Sequence, residues 1–168
     1  MRDRLAAVVF GILVVSLSAA MPAWRWIGKP PPVEERYATT ADDFAQRVAA
    51  MTAAHATGEM DDEVPVVRPP AGDIYLLARR FGFSPVLELE VGKHYRLHVA
   101  TIDVLHGLNL PLGGTDLLLL PGQAVVLPLT PTREGYHAVQ CSEYCGLRHS
   151  RMKSHLRVVA PGADGKRK

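Results

Sequence analysis

The chain has 168 residues, of which 48% are hydrophobic and 21% charged, so it can bury the core of one ordinary domain. This composition excludes a large multidomain enzyme and a wholly disordered chain. The formal net charge of +2 is too small to indicate binding to nucleic acid, and two cysteines are too few for a multi-disulfide framework or a four-cysteine zinc site.

The amino-terminal segment has the pattern of a membrane span. Residues 5–21 are apolar and uncharged, at the low end of the length that crosses the hydrocarbon layer. Trp24 and Trp26 follow at the position where aromatic side chains anchor in lipid headgroups. We therefore predict that residues 1–27 are a single-pass anchor in the cytoplasmic (inner) membrane, with an uncleaved signal segment as the alternative. Either reading places the rest of the chain on the periplasmic, outer side.

Residues 28–72 are predicted to be a proline-rich linker followed by an acidic amphipathic helix. The prolines cannot continue a helix, because they lack the amide donor. Thr40 with Asp43 three residues later is a capping-box-like start, and apolar residues recur at helical spacing over 44–51. We expect a helix at about 40–56 whose narrow apolar stripe packs either on the folded domain or on another subunit.

Residues 73–160 are predicted to form a small, mainly β domain, followed by a basic carboxy-terminal tail at 161–168. Short β-branched and leucine-rich runs alternate there with turn residues. The predicted strands lie at 74–80, 86–90, 95–102, 105–110, 124–130, 135–140 and 155–159. Seven short strands are typical of a sandwich or small barrel whose end loops can carry a site.

The stretch 141–152 carries the chemistry of the domain. It places Cys141, Cys145, His149 and Met152 at spacings of four, four and three residues. Thiolate, imidazole and thioether are ligands that favour copper over calcium or magnesium. A further histidine is needed from elsewhere in the chain, and His106 is the best candidate because it lies at the end of a predicted strand.

Three other interpretations of these residues stay open. A disulfide between Cys141 and Cys145 would close a short, strained ring and leave His149 and Met152 unexplained. Zinc has no use for the thioether of Met152. A single blue copper needs only one cysteine, so the second is surplus. Two thiolates fit better as bridges between two copper ions.

The region from about residue 74 to 159 resembles subunit II of haem-copper cytochrome c oxidases. The matching motifs are Asp-Val-Leu-His-Gly at 103–107, Leu-Pro-Gly at 120–122 and C-S-E-x-C-G-x-x-H-x-x-M at 141–152. The resemblance implies a cupredoxin-like Greek-key β-sandwich that holds a binuclear copper centre, CuA. The single anchor and compact domain look more like the B-type oxidases than the mitochondrial-like subunit.

The resemblance also implies a role for each candidate ligand. Cys141 and Cys145 would bridge the two copper ions, while His106 and His149 would each bind one of them. The thioether of Met152 and the backbone carbonyl of Glu143 would be weak outer ligands, and in many relatives the carboxylate at the Glu143 position also reaches a magnesium ion at the subunit interface.

The implied function is electron entry into a terminal oxidase. Cytochrome c or a similar small redox protein would deliver electrons to the copper centre, which would pass them to haem in subunit I for oxygen reduction. Phe81 and Phe83 lie where the family often has aromatic residues near the electron-entry surface. The arginines and lysine near the site favour a less basic or largely apolar donor. We expect either weak salt dependence or a rate that falls as salt screens an acidic donor.

Two alternative functions use the same residues. One is the CuA subunit of a nitric or nitrous oxide reductase, and the other is a membrane-tethered copper carrier or sensor. The remaining histidines have no place in the ligand set and are expected to be surface or hydrogen-bonded core residues; they are His55, His94, His98, His137 and His155.

Overall fold

The computed structural model describes residues 2–27 and 32–162, which belong to two units that separate near residue 30. The first unit contains α1 (Arg2–Ile27), which has no buried side chain. Among the described residues it is the one helix that is long and apolar enough to cross a membrane. The predicted linker residues 28–31 and the end of the predicted tail, 163–168, lie outside the described residues.

The second unit is a two-sheet β-sandwich with one helix. Its elements in chain order are β1 (Glu35–Ala38), α2 (Ala41–His55), β2 (Ala56–Asp61), β3 (Val64–Val67), β4 (Gly72–Arg79), β5 (Gly82–Ser84), β6 (Val86–Glu90), β7 (Tyr95–Thr101), β8 (His106–Leu110), β9 (Thr115–Leu119), β10 (Gln123–Leu129), β11 (Gly135–Gln140) and β12 (Lys153–Val159). Short 3₁₀ turns lie at Pro111–Gly113 and His149–Arg151.

The two sheets have five and seven strands. The first has the order β1-β10-β7-β4-β5 and the second β2-β3-β6-β12-β11-β8-β9. Strand pairs β4–β7, β6–β12 and β3–β6 are parallel, and the other pairs are antiparallel. This mixed order requires connections that cross from one sheet to the other. The predicted mainly β sandwich is therefore confirmed.

The core lies between the sheets and follows the two-residue period of the strands. On β4, Ile74, Leu76 and Ala78 belong to the main apolar cluster, together with residues of the seven-stranded sheet such as Leu89 and Leu156. The copper-ligand candidates Cys141, Cys145 and Met152 belong to the same cluster. The candidate site is therefore continuous with the sandwich core.

Helix α2 packs on the outer face of the five-stranded sheet. Thr40 caps it, because the backbone N–H of Asp43 donates to the Thr40 hydroxyl at 3.1 Å. Phe44 and Val48 form a second apolar cluster with Leu77, Ala100 and Ala124 from β4, β7 and β10. The sequence left open whether this helix packs on the folded domain or on another subunit. In the structure it packs on the folded domain.

Five strands were not predicted: β1, β2, β3, β5 and β9. Strand β1 pairs with β10, and β3 pairs with β6, so part of the segment 28–72 that was assigned to linker and helix belongs to the sheets. Asp62 and Glu63 form the tip of the β2–β3 hairpin with φ of 45° and 66°. Hairpin tips in this conformation usually contain asparagine and glycine, and their absence here hid the turn.

Buried charges join the β2–β3 hairpin to the rest of its sheet. Arg157 of β12, 8% exposed, donates to Glu59 at 2.7 Å and to Asp61 at 3.1 Å. Glu88 of β6 is 1% exposed and pairs with both Arg157 and Arg68. Charges this deeply buried are tolerated only in pairs, so this network fixes the hairpin in one position.

We expect Phe44→Ala to lower the free energy of unfolding by about 3–5 kcal/mol, because it empties a fully buried site between α2 and the sheet. Urea unfolding of the full chain in detergent, followed by circular dichroism, measures this change. Gln46→Ala on the exposed face of α2 is the matched control and should change stability by less than about 0.5 kcal/mol. Equal effects of the two variants would contradict packing of α2 on the sheet.

Candidate metal centre

Three buried side chains from two distant parts of the chain meet at one end of the sandwich. The ligand atoms of His106, Cys141 and Cys145 all lie within 4.8 Å of one another. His106 is the first residue of β8, and the cysteines lie in the loop that joins β11 to β12. These strands are in contact because β11 pairs with β8 at Gln140 and Asn109. The predicted meeting of His106 with the cysteine loop is thus seen in the structure.

Four nitrogen and sulfur atoms lie in successive close contacts. His106 Nδ1 lies 3.8 Å from Cys141 Sγ, the two Sγ atoms are 3.7 Å apart, and His149 Nδ1 lies 3.8 Å from Cys145 Sγ. Each histidine therefore faces a different cysteine.

Two weaker donors lie against the same sulfurs. Met152 Sδ is 3.6 Å from Cys145 Sγ, and the carbonyl oxygen of Glu143 is 3.1 Å from Cys141 Sγ. Together with the two histidine nitrogens and the two cysteine sulfurs they make six donor atoms. This is more than the four that a tetrahedral zinc ion takes. All six predicted site residues are therefore brought together, and the donor set fits copper, which accepts thiolate, imidazole and thioether.

The two cysteines are free thiols in an apolar environment. Burial raises the pKa of Cys145 to about 11, and its hydrogen bond with Cys141 acts in the same direction. Metal binding at this pair must therefore displace protons, since thiolates are the ligand form. A cation at the site supplies the charge that makes this exchange favourable.

Asp103 orients the imidazole of His106, and sequence reasoning did not assign it this role. Its Oδ1 lies 2.8 Å from His106 Nε2, which leaves Nδ1 facing Cys141. Burial raises the pKa of Asp103, but the backbone N–H groups of Arg80 and Val104 and the His106 ring outweigh it and hold the pKa well below its usual range. Asp103 is thus a carboxylate that fixes the ring position of a candidate ligand, a common arrangement behind metal-binding histidines.

The start of the loop touches the backbone of β8 at Gly107. A Cβ atom there would lie 2.1 Å from Ser142 Oγ, 2.7 Å from the Glu143 nitrogen and 2.9 Å from the Ser142 nitrogen. No side chain fits in this space. The missing side chain at 107 therefore lets the Glu143 carbonyl and Cys141 come close to His106, which precedes the glycine.

The two phenylalanines have different environments. Phe83 is 1% exposed and lies in the main core, so its predicted place in a docking surface is wrong. Phe81 lies in the turn before β5, where a Cβ on Gly146 would be only 3.1 Å from its ring. Phe81 thus packs against the cysteine loop. Phe81 is not part of the strand, which begins at Gly82.

Four of the five remaining histidines have hydrogen bonds outside the site. His98 is buried between Tyr37 and Asp73, and His155 lies 3.1 Å from Asp61. The His94 ring lies 2.8 Å from the Thr130 hydroxyl, and the His137 ring lies 2.9 Å from the Arg133 carbonyl oxygen. This agrees with the expectation that they are surface or hydrogen-bonded core residues.

Comparison with known proteins agrees with the site. Residues 80–159 match the family described as cytochrome C oxidase subunit II, periplasmic domain. The resemblance to cytochrome c oxidase subunit II is confirmed. The subunit 2 of Thermus thermophilus is 31% identical over 80 residues, 47% of this chain and 59% of the relative. The probable subunit 2 of Streptomyces avermitilis is 35% identical over 78 residues, 46% of this chain and 24% of the relative.

A solved structure extends the likeness in fold. One chain of a heme-copper terminal oxidase dimer, determined by cryo-electron microscopy, aligns with 95% of this chain and 100% of its own length, with a TM-score of 0.50 and 17% identity. The chain spans about half the length of the Thermus subunit II sequences that it matches, and the matched part contains the complete donor set.

We expect Gly107→Ala to displace the loop and lower copper uptake, with a loss of about 1–3 kcal/mol in stability, because the added methyl group meets backbone atoms. Copper content after loading and urea unfolding measure the two effects. Gly82→Ala is the matched control, since a Cβ there meets nothing within 4 Å. Normal copper content in Gly107→Ala would show that the close approach is not needed.

Proposed function

We propose that this chain is subunit II of a terminal haem-copper oxidase and that it holds a binuclear CuA centre. In this role it accepts electrons one at a time from cytochrome c, or from a similar small redox protein, and passes them to haem in subunit I for oxygen reduction. The observation that carries the proposal is the pair of cysteine sulfurs 3.7 Å apart, each with a different histidine nitrogen at 3.8 Å.

Each donor has a defined place in this proposal. Cys141 and Cys145 would hold both copper ions between them, while His106 and His149 would each hold one. Met152 and the Glu143 carbonyl would lie at the outer positions, beside Cys145 and Cys141 respectively. Bound copper supplies a one-electron couple, so each turnover adds and removes one electron without making or breaking a covalent bond of the chain.

The protein's contribution is a rigid enclosure. His106 is 0% exposed and Met152 is 1% exposed, and Asp103 restrains the His106 ring from behind. Side chains that cannot move or take up water rearrange little when the charge of the site changes. This favours rapid electron transfer. It argues against a carrier or sensor, which must release its metal from an exposed, exchangeable site.

Exposed apolar side chains near the candidate ligands form a rim that is suited to a redox partner. We define this rim by Leu105, Tyr144 and Leu147, which are 37%, 72% and 95% exposed and lie within two residues of a ligand in the chain. Tyr144 also contacts the His149 ring, with centroids 6.0 Å apart. Contact through such side chains needs no charge complementarity, in keeping with an apolar donor.

We further propose the arrangement of this chain in the membrane. Residues 1–27 would cross the cytoplasmic membrane once and hold the copper domain on the periplasmic side, with 28–72 between them and a basic tail at 161–168. The carboxylate of Glu143 is exposed and is proposed as a ligand for magnesium at the interface with subunit I. The domain core for this function is 73–160.

We expect the full chain in detergent to bind two copper ions that share one unpaired electron. Metal analysis and electron paramagnetic resonance measure this stoichiometry and the spectrum. Cys141→Ser and Cys145→Ser should each abolish the shared-electron spectrum, because each removes one bridging sulfur. The matched control is Ser154→Ala on β12, which leaves all six donors in place. A single, labile copper with a mononuclear spectrum in the wild type would overturn the proposal.

We expect Leu147→Glu to slow electron transfer from a largely apolar cytochrome c at least about five-fold, because it places a charge in the apolar rim. Stopped-flow mixing measures the rate, and an unchanged copper spectrum confirms that the site is intact. Tyr136→Glu is the matched control, since this exposed residue lies at the other end of β11. A steep loss of rate with salt for a basic cytochrome c would contradict docking through this rim.

A further inference from the structure

A carboxylate on a neighbouring strand holds the first residue after Cys141. Ser142 Oγ donates to Asp116 Oδ1 at 2.7 Å, and Asn109 Nδ2 donates to Asp116 Oδ2 at 3.1 Å. Both carboxylate oxygens are therefore used. Asp116 belongs to β9, which the sequence pattern did not predict, and its side chain has no part in the core.

The strand register fixes the position of this carboxylate. Asn109 of β8 lies opposite Asp116 of β9 on one side and opposite Gln140 of β11 on the other. Gln140 immediately precedes Cys141. Three adjacent strands thus place Asp116 at a set distance from the point where the cysteine loop leaves the sheet.

The loop has little freedom to satisfy this carboxylate in another way. Ser142 lies over Gly107, where its hydroxyl occupies the space that a side chain at 107 would fill. The next residue, Glu143, directs its carbonyl oxygen toward Cys141 Sγ at 3.1 Å. Ser142 Oγ is held between Gly107 and Asp116, so this contact restrains the backbone that leads into the Glu143–Tyr144 peptide, which carries the carbonyl.

We propose that Asp116 is a positioning residue for the copper centre and acts through Ser142. It holds the backbone at Ser142, between the Cys141 sulfur and the Glu143 carbonyl, so that both donors keep their places. Asn109 holds the other carboxylate oxygen and prevents Asp116 from turning away. This inference rests on the proposed copper function, and it adds a second restraint on the site besides Asp103.

The test compares Asp116→Ala, Ser142→Ala and the double variant with the wild type, using the full chain in detergent loaded with Cu(I) and Cu(II) salts. The rate of copper loss to an excess of chelator is measured. Each single variant should release copper about ten-fold faster, the effect expected from loss of one hydrogen bond to a charged group. The double variant should release it no faster than the single ones, because all three remove the same contact.

Two further variants separate contact from charge. Asp116→Asn keeps an oxygen that accepts from Ser142, and Asn109 can turn its amide to match, so copper release should stay within about two-fold of the wild type. Glu134→Ala removes an exposed carboxylate elsewhere and should have no effect. Release in Asp116→Asn as fast as in Asp116→Ala would overturn the proposal in favour of a charge effect.

Two measurements on the metal-free protein distinguish positioning from general stability. Amide hydrogen exchange at residues 142 and 143 should rise in Asp116→Ala, while the thermal unfolding temperature should change by no more than a degree or two. A fall in unfolding temperature that parallels faster copper loss would overturn the proposal. If the wild type binds one mononuclear copper, the proposed function fails, and amide exchange alone decides whether Asp116 restrains the backbone at Ser142.

Discussion

The candidate site depends on the close approach between the cysteine loop and the backbone of β8. His106 begins that strand, and the missing side chain at Gly107 lets the loop lie directly on the strand. The approach brings a histidine thirty-five positions away in the chain to 3.8 Å from Cys141. The other distances between donor atoms given above join residues of the loop itself.

Several independent contacts keep this approach in one geometry. Asp103 holds the His106 ring, Asp116 holds Ser142, and the ring of Phe81 packs against Gly146. These contacts come from the turn after β7, from β9 and from the turn before β5. The loop is thus held on several sides by parts of both sheets, which is how a loop can be as well defined as a strand.

The sequence was most informative where the signal is local. Helix α2 could be predicted because its cap and its apolar spacing lie within a few residues of one another. The candidate ligands could be predicted because four of them occur in twelve residues and their chemistry is unusual. The resemblance to subunit II rested on the same local motif.

Features that depend on distant partners could not be predicted in this way. The β2–β3 hairpin has an acidic tip and a proline, and Arg157 and Glu88, which hold it, lie far away in the chain. The role of Asp116 depends on Ser142, twenty-six positions away, which the sheet register brings close. Asp103 lies only three positions from His106, but the contact depends on how the turn between them folds. An acidic residue near a candidate ligand was the available signal, and it does not by itself distinguish these two from other acids.

The continuity of the site with the sandwich core has a thermodynamic consequence. Cys141, Cys145 and Met152 pack in the same apolar cluster as the residues that join the two sheets. A metal that binds only the folded arrangement therefore acts as a folding ligand for the domain. At a free metal concentration 1,000 times the dissociation constant, such linkage adds about 4 kcal/mol to the free energy of unfolding. A metal bound at this site would thereby couple metal supply to the lifetime of the protein.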